Sequence, residues 1–264
     1  VTGLRGTKVL VTGASGGIGQ ALAVELAGCG GEVVLSGRRA EVLEPLAGRL
    51  GGRAVPADLT EPDAAARLLD AAGEIDVLVA NAALPATGLL ANYSLPEIDR
   101  ALAVNLRAPI VLAKLAGARM AARGRGHLVF ISSLSGKTAS GQASLYNATK
   151  FGLRGFALAL REDLRPHGVG VSTVFPGFIR DAGMFADSGA VLPRGVGTRS
   201  PRDVARATVR AIERDLAEVD VAPLGLRLTA VLGGVAPSLA ATVQRRLGGD
   251  QVTGQLAAGQ RHKR

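Results

Sequence analysis

Tyr146 and Lys150 stand four positions apart in SLYNATK (Ser144–Lys150), in a chain with two tyrosines and five lysines. If this run is helical, the spacing puts both side chains on one face, with Cβ atoms about 5–6 Å apart. An ammonium that close to a phenol favours the phenolate and lowers a pKa that starts near ~10. Such a pair makes a proton donor or acceptor that works near neutral pH. The same spacing suits an aromatic on a core helix beside a solvated lysine, and these seven residues alone leave both readings open. Other candidates for acid–base work are few. One cysteine, Cys29, excludes an internal disulfide and a cysteine-based metal cluster, and three scattered histidines argue against a His-rich metal site.

Such side chains need rigid elements behind them. Short β-branched runs alternate with longer Ala/Leu-rich runs of helical spacing. Strands are expected at 8–12, 32–36, 53–56, 76–80, 126–132, 170–175 and 218–222. Helices are expected near 18–28, 40–50, 62–72, 95–123, 145–165 and 201–214. Several strands are continuous apolar runs, as required when helices cover both faces of a sheet. Unbroken alternation predicts an α/β fold: a single-domain, doubly wound Rossmann sheet of seven parallel strands. The 264 residues then divide into a nucleotide-binding and catalytic domain over 1–222, an apolar helical extension of it over 223–247, and a basic tail over 248–264 expected to be disordered.

In such sheets ligands bind beyond the carboxyl ends of the strands. The first strand leads into TGASGGIG (Thr12–Gly19). Gly13 permits the sharp turn, Gly17 lets backbone approach a ligand, and Gly19 lets the next helix pack closely. Ser15 and Ile18 lie in the same turn, and the helix that follows offers free N–H groups to a pyrophosphate. After the second strand, the place where an acidic residue would bind the ribose of NAD holds Gly37, followed by Arg38 and Arg39. A guanidinium grips a 2′-phosphate that a carboxylate would repel, so NADP(H) is expected over NAD(H), with Arg38 as the clamp. The alternative for both arginines is solvation at a loop. Asp58, with Leu59 beside it, follows the third strand, placed either to accept from an adenine amino group or to cap the next helix. Asn81 and Ala82 begin NAAL after the fourth strand, where small residues let a cofactor pass.

TGASGGIG, NAAL, a strand ending at Ser133 and YNATK thirteen residues beyond that serine occur together. In this combination the chain resembles the short-chain dehydrogenase/reductase family over about residues 7–222. The resemblance implies that Ser133 hydrogen-bonds the substrate oxygen and Tyr146 donates or accepts the proton. It implies that Lys150 holds the nicotinamide ribose, and that Asn105 in VNLRAP helps hold a water chain behind the lysine. A hydrogen bond internal to the helix is the other reading of Asn105. Pro176, Gly177 and Ile179 match the family's segment beside the nicotinamide. Two departures stand out. Asp181 occupies the position where relatives often place a threonine against the phosphates, leaving Arg180 to intervene or the loop to shift. Gly16 stands where many NADP(H) enzymes place a basic residue.

Residues 178–199 should form a lid over the substrate, and its apolar members (Met184, Phe185, Val191, Leu192) favour a lipophilic carbonyl or secondary alcohol. The net charge of +9 is spread along the chain without basic runs interleaved with aromatics, which argues against a nucleic-acid partner. No uninterrupted apolar run of about 18 residues is present, and no signal peptide is visible, so a cytoplasmic setting is expected. A homodimer or homotetramer is the expected assembly. The acid-free extension also suits pairing of subunits or weak peripheral contact with a membrane. The leading expectation is an NADP(H)-dependent oxidoreductase. A non-catalytic sensor of NADP(H) on the same fold is the alternative.

Overall fold

The computed structural model describes residues 3–246 and 249–260. Seven strands, β1 (Lys8–Val11), β2 (Glu32–Leu35), β3 (Arg53–Ala54), β4 (Val77–Ala80), β5 (Gly126–Ile131), β6 (Val169–Pro176) and β7 (Glu218–Val221), form one parallel sheet. Their order is β3-β2-β1-β4-β5-β6-β7, so the chain switches direction across the sheet between β1 and β4. The connecting helices are α1 (Gly17–Gly28), α2 (Ala40–Leu50), α3 (Ala64–Ala72), α4 (Leu95–Leu102), α5 (Ala108–Ala122), α6 (Ser144–Leu164) and α7 (Pro201–Arg214). Three more follow the sheet: α8 (Leu224–Val235), α9 (Pro237–Arg246) and α10 (Gly249–Gln260).

Alternate residues of each strand feed opposite cores. Val9, Val11, Val33, Leu35, Val77 and Val79 meet Leu22, Leu26 and Leu43 of α1 and α2 and Val204 and Ile212 of α7. Leu10, Val34, Leu78, Leu128 and Phe130 meet Leu68 of α3, Leu112 and Met120 of α5, and Leu153 of α6. This double coverage is why β1, β4 and β5 read as unbroken apolar runs. The start of α7 is fixed by a reciprocal cap: Ser200 N donates to Asp203 Oδ2 (2.8 Å) and Asp203 N donates to Ser200 Oγ (3.2 Å), with Pro201 in the first turn.

The single helix expected over 95–123 is two helices joined by a π turn at Ala103–Arg107. Pro109 gives the local reason. In an α-helix its nitrogen would donate to the Asn105 carbonyl, and proline has no N–H to give. The whole run Leu95–Ala122 has the length and apolar composition of a membrane span, yet half of its most apolar 18-residue window is buried, with Leu112, Ala113, Ala116 and Met120 packed on the sheet.

After the sheet, α8 sets Leu226 and Ala230 against Leu134 and Phe175 and turns Leu224, Leu228, Val231 and Val235 outward. The expectation of disorder beyond 248 is corrected: residues 249–260 are helical. Gly254, Gly259 and the polar composition hid this helix, whose order comes from tertiary anchors. Gln260, buried, donates to Met184 O (2.8 Å), and Gln255 Oε1 accepts from Val191 N (2.8 Å). The basic residues Arg261, Lys263 and Arg264 lie outside the described residues.

Candidate active site

The carboxyl ends of β1, β4, β5 and β6 converge where the strand order reverses. Four hydrogen bonds staple the glycine turn to the end of β4. Thr12 Oγ1 accepts from Asn81 N (3.1 Å) and Ala82 N (3.2 Å), and Asn81 Nδ2 donates to Thr12 O (3.1 Å) and Gly13 O (3.2 Å). Gly13 takes φ +65°, and a Cβ there would lie 2.7 Å from Ala82 Cα, so both conformation and space demand glycine. A Cβ on Gly19 would meet Gly13 O at 2.2 Å, so its close approach is to the turn itself rather than to the sheet.

At Gly17 the space for a Cβ is taken by the lid: it would sit 2.3 Å from Ala182 Cβ. Ala182 thus lies against Gly17, with Gly183 against Ile18 beside it. Arg38 and Arg39 are both exposed beyond β2, and Arg39 donates to Ser15 O (2.6 Å), which shapes the turn. Asp58 does not cap α3, which begins later, after Asp63; its Oδ1 accepts from Thr60 N (3.0 Å) and Thr60 Oγ1 (2.9 Å). Leu59 packs against the core on the α3 side.

Ser133, at the end of β5, Tyr146 and Lys150 come together. The first turn of α6 carries Tyr146, whose hydroxyl shares a hydrogen bond with that of Ser133. Lys150, one turn on and buried, donates to Ile131 O (3.2 Å) and stands 5.7 Å from the centroid of the Tyr146 ring. Two features that sequence reading passed over hold the Ser133 turn on α6. Asn147 Nδ2 donates to Ser135 O (2.7 Å) and Thr138 O (3.0 Å). A Cβ on Gly136 would lie 2.7 Å from Lys150 O, so the turn rests directly on the helix backbone.

The expected lowering of the phenol pKa is reversed. Burial pushes Tyr146 up to about 12, against a smaller downward effect of the Ser133 hydrogen bond. Burial pulls Lys150 down to about 8. Loss of hydration for each charged form outweighs the mutual effect that spacing alone predicted. At neutral pH the phenol therefore holds its proton and most of the lysine is still charged.

Asn105 is buried, and its side chain is spent on the loop after β4: Oδ1 accepts from Leu84 N (2.7 Å) and Nδ2 donates to Leu84 O (2.9 Å). The side chain thus bonds across to another segment rather than within its own helix, and it fixes the loop after β4 beside α6. Gly177 N donates to Val221 O (3.0 Å) after Pro176, and Ile179 bridges to Arg199. The two ends of the lid are thereby tied, by Arg180 N to Arg199 O (2.8 Å) and Arg199 N to Phe178 O (3.0 Å). Asp181, at φ +70°, pairs with Arg180 at 3.4 Å.

A second ionic cluster was not legible beforehand. Lys137, from the Ser133 turn, reaches Glu218 (3.0 Å) and Asp220 (2.7 Å), and Arg154 of α6 reaches the same Glu218 (2.6 Å). Burial alone would raise the Glu218 carboxyl, but the bonds from Arg154 and Lys137 hold it below its usual range. The Lys137 ammonium also lies 4.2 Å from the Phe175 ring centroid.

Residues 7–191 match the family described as short chain dehydrogenase. The chain is 37% identical over 230 residues to the ketoacyl reductase HetN of Nostoc sp., a match covering 84% of this chain and 80% of that protein. It is 30% identical over 262 residues to dehydrogenase/reductase SDR family member 7B of Bos taurus, covering 89% and 79%. Among solved structures, the short-chain dehydrogenase from Sphingobium yanoikuyae in complex with NADPH superposes with TM-score 0.77 at 28% identity, covering 89% of this chain and 95% of that one. The bulky-bulky ketone specific alcohol dehydrogenase from Comamonas testosteroni gives TM-score 0.72 at 26% identity, covering 93% and 94%.

Proposed function

This chain belongs to the short-chain dehydrogenase family, and we propose that it reduces a carbonyl on a lipophilic, acyl-type substrate to the secondary alcohol at the expense of NADPH. The oxidoreductase class, acting on CH–OH groups with NAD(P)(H), follows from membership. The finer reading rests chiefly on one observation: a buried, protonated phenol, Tyr146, bonded to Ser133 and backed by the buried ammonium of Lys150.

A phenol that keeps its proton at neutral pH can serve as the proton donor when a carbonyl is reduced. The Ser133 hydroxyl holds the substrate oxygen, and Tyr146 delivers its proton to that oxygen. The nicotinamide, when bound, supplies the hydride to the carbonyl carbon. Lys150 leaves a positive charge one helical turn from the phenolate that remains, stabilising it in a site from which water is largely shed. Asn147 and Gly136 keep Ser133 at its distance from α6. A pure sensor of NADPH would need none of this proton machinery.

The residues present fit a dinucleotide. The turn Gly13–Gly19 is held in shape by its staples to Asn81 and Ala82 and runs into the N-terminus of α1, where no capping side chain is bonded and Ala182 of the lid lies against Gly17. Pro176, Gly177 and Ile179 flank the far side. Exposed Arg38 at the end of β2, with no acidic residue at Gly37, supports NADPH over NADH. The apolar lid and the ketoacyl and bulky-ketone activities named for the relatives support a lipophilic carbonyl. The test is oxidation of NADPH and of NADH with a panel of 3-oxoesters, long-chain ketones and cyclic ketones, for the wild type and Arg38→Ala. NADPH-dependent turnover that Arg38→Ala weakens at least about tenfold, with NADH use little changed, is expected. Equal effects on both cofactors overturn the clamp, and turnover of sugars or small hydrophilic ketones alone overturns the substrate class.

A further inference from the structure

Gly17 is the position in the glycine turn whose missing side chain makes room for a pyrophosphate. In the structure that room is filled from within the chain. A Cβ on Gly17 would sit 2.3 Å from Ala182 Cβ, and Gly183 lies against Ile18 one residue on. The lid therefore rests on the first turn of α1, whose leading N–H groups have no acceptor inside the helix and are the ones a phosphate would use. A methyl group and a phosphate cannot share that place. Asp181 and Gly183, on either side of Ala182, both take positive φ (+70° and +88°), and this double bend sets the alanine down on the turn.

The last helix holds the lid there. Gln260, buried, donates to Met184 O (2.8 Å), two residues from Ala182, and Gln255 Oε1 accepts from Val191 N (2.8 Å). Between these bonds Gly259 lies so close that a Cβ on it would be 2.2 Å from Ser188 O. Inside the lid, Asp187 N donates to Gly183 O (2.9 Å) and the rings of Phe178 and Phe185 pack at 5.1 Å. The grip on Met184 and Ser188 is thus carried to Ala182. The helix is itself anchored, with Val252 and Thr253 buried.

We propose that α10 is a latch that keeps the lid on the glycine turn, so that the protein is closed to its dinucleotide until the latch releases and Ala182 swings off Gly17. The proposal rests on the reading of Gly13–Gly19 as the nucleotide turn. NADPH then binds only the released form, and its apparent affinity is the intrinsic affinity reduced by the fraction of molecules in that form. The last helix sets that fraction from a distance, through Met184, Ser188 and Val191, without being part of Ser133, Tyr146 or Lys150 chemistry.

The experiment follows NADPH binding to the full chain by stopped-flow fluorescence of the cofactor, for the wild type, Gln260→Ala and Gly259→Val. The first substitution removes the bond to Met184 O, and the second puts a side chain where Ser188 O now lies. Both variants should bind NADPH faster and at least about fivefold more tightly than the wild type. Hydrogen exchange on the wild type gives a readout that needs no variant: NADPH should speed exchange at Val191 N, whose bond to Gln255 belongs to the latch. Wild-type rate and affinity in both variants overturn the latch, as does exchange at Val191 that NADPH leaves unchanged or slows. Binding of NADPH by none of the three proteins overturns the nucleotide reading itself, and the latch with it. Binding by the variants alone sustains both.

Discussion

Glu218→Ala probes how the Ser133 turn and α6 are held together. Glu218 accepts from Lys137, four residues after Ser133, and from Arg154, four residues after Lys150, so one carboxylate on β7 anchors both segments. The side chains are 12% (Lys137), 31% (Arg154) and 22% (Glu218) exposed, which places the cluster between surface and core. Exposed pairs contribute about 0–1 kcal/mol and breaking a buried pair costs about 3–5 kcal/mol, so about 2 kcal/mol is expected here. Lys137 keeps Asp220 at 2.7 Å, which limits the loss, while Arg154 is left beside the Phe175 ring. For a chain of this size the change corresponds to a fall of roughly 4–8 °C in Tm. Urea unfolding at pH 7 and thermal scans measure it, with turnover and NADPH affinity followed alongside. The carboxyl is held below its usual range, so its contribution is complete above the ordinary glutamate pKa and is lost as pH falls. The difference between wild type and variant should therefore shrink in acid. A destabilisation below about 0.5 kcal/mol, within the range of an ordinary surface substitution, would show that the cluster does not anchor these segments.

Other consequences are equally concrete. Burial holds His127, which bonds Ser172 Oγ at 2.8 Å, down to about 4 from 6.5, so between those pH values the unfolded chain takes up a proton that the folded one refuses. Stability should fall by up to about 3 kcal/mol as pH drops through that window, and His127→Gln should remove that component from the urea-derived pH profile; identical profiles would contradict the assignment. Gly136→Ala should lower kcat well before it unfolds the protein, because its Cβ would force the Ser133 turn off Lys150 O, now 2.7 Å from that point. Full activity in that variant would mean that the turn can move freely.

The parallel sheet and both helical layers were readable because alternate apolar residues serve alternate faces, as Val9, Leu10 and Val11 do, whereas the strand order came only with the structure. The meeting of Ser133, Tyr146 and Lys150 was readable because its spacing is local: Tyr146 and Lys150 share a helix, and Ser133 follows the strand before it. What escaped were pairings between distant segments. Nothing near Lys137 or Arg154 announces Glu218, and Asn147 gives no sign that it will hold Ser135 and Thr138. The break at Asn105 was hinted at by Pro109, but the helical periodicity on either side masked it. The phenol pKa was misjudged because spacing carries charge proximity and says nothing of burial. The last helix was missed because its order depends on Met184 and Val191, more than sixty residues away.

The central claim, that Tyr146 gives the proton, is tested most directly by Tyr146→Phe, which removes the hydroxyl and keeps the ring among Ala86, Tyr93 and Leu145. Single-turnover reduction of a carbonyl substrate and NADPH binding are measured on the same preparation. The account predicts a loss of at least about a hundredfold in the chemical step, with NADPH affinity within a few-fold of wild type. Turnover at the wild-type rate would contradict it.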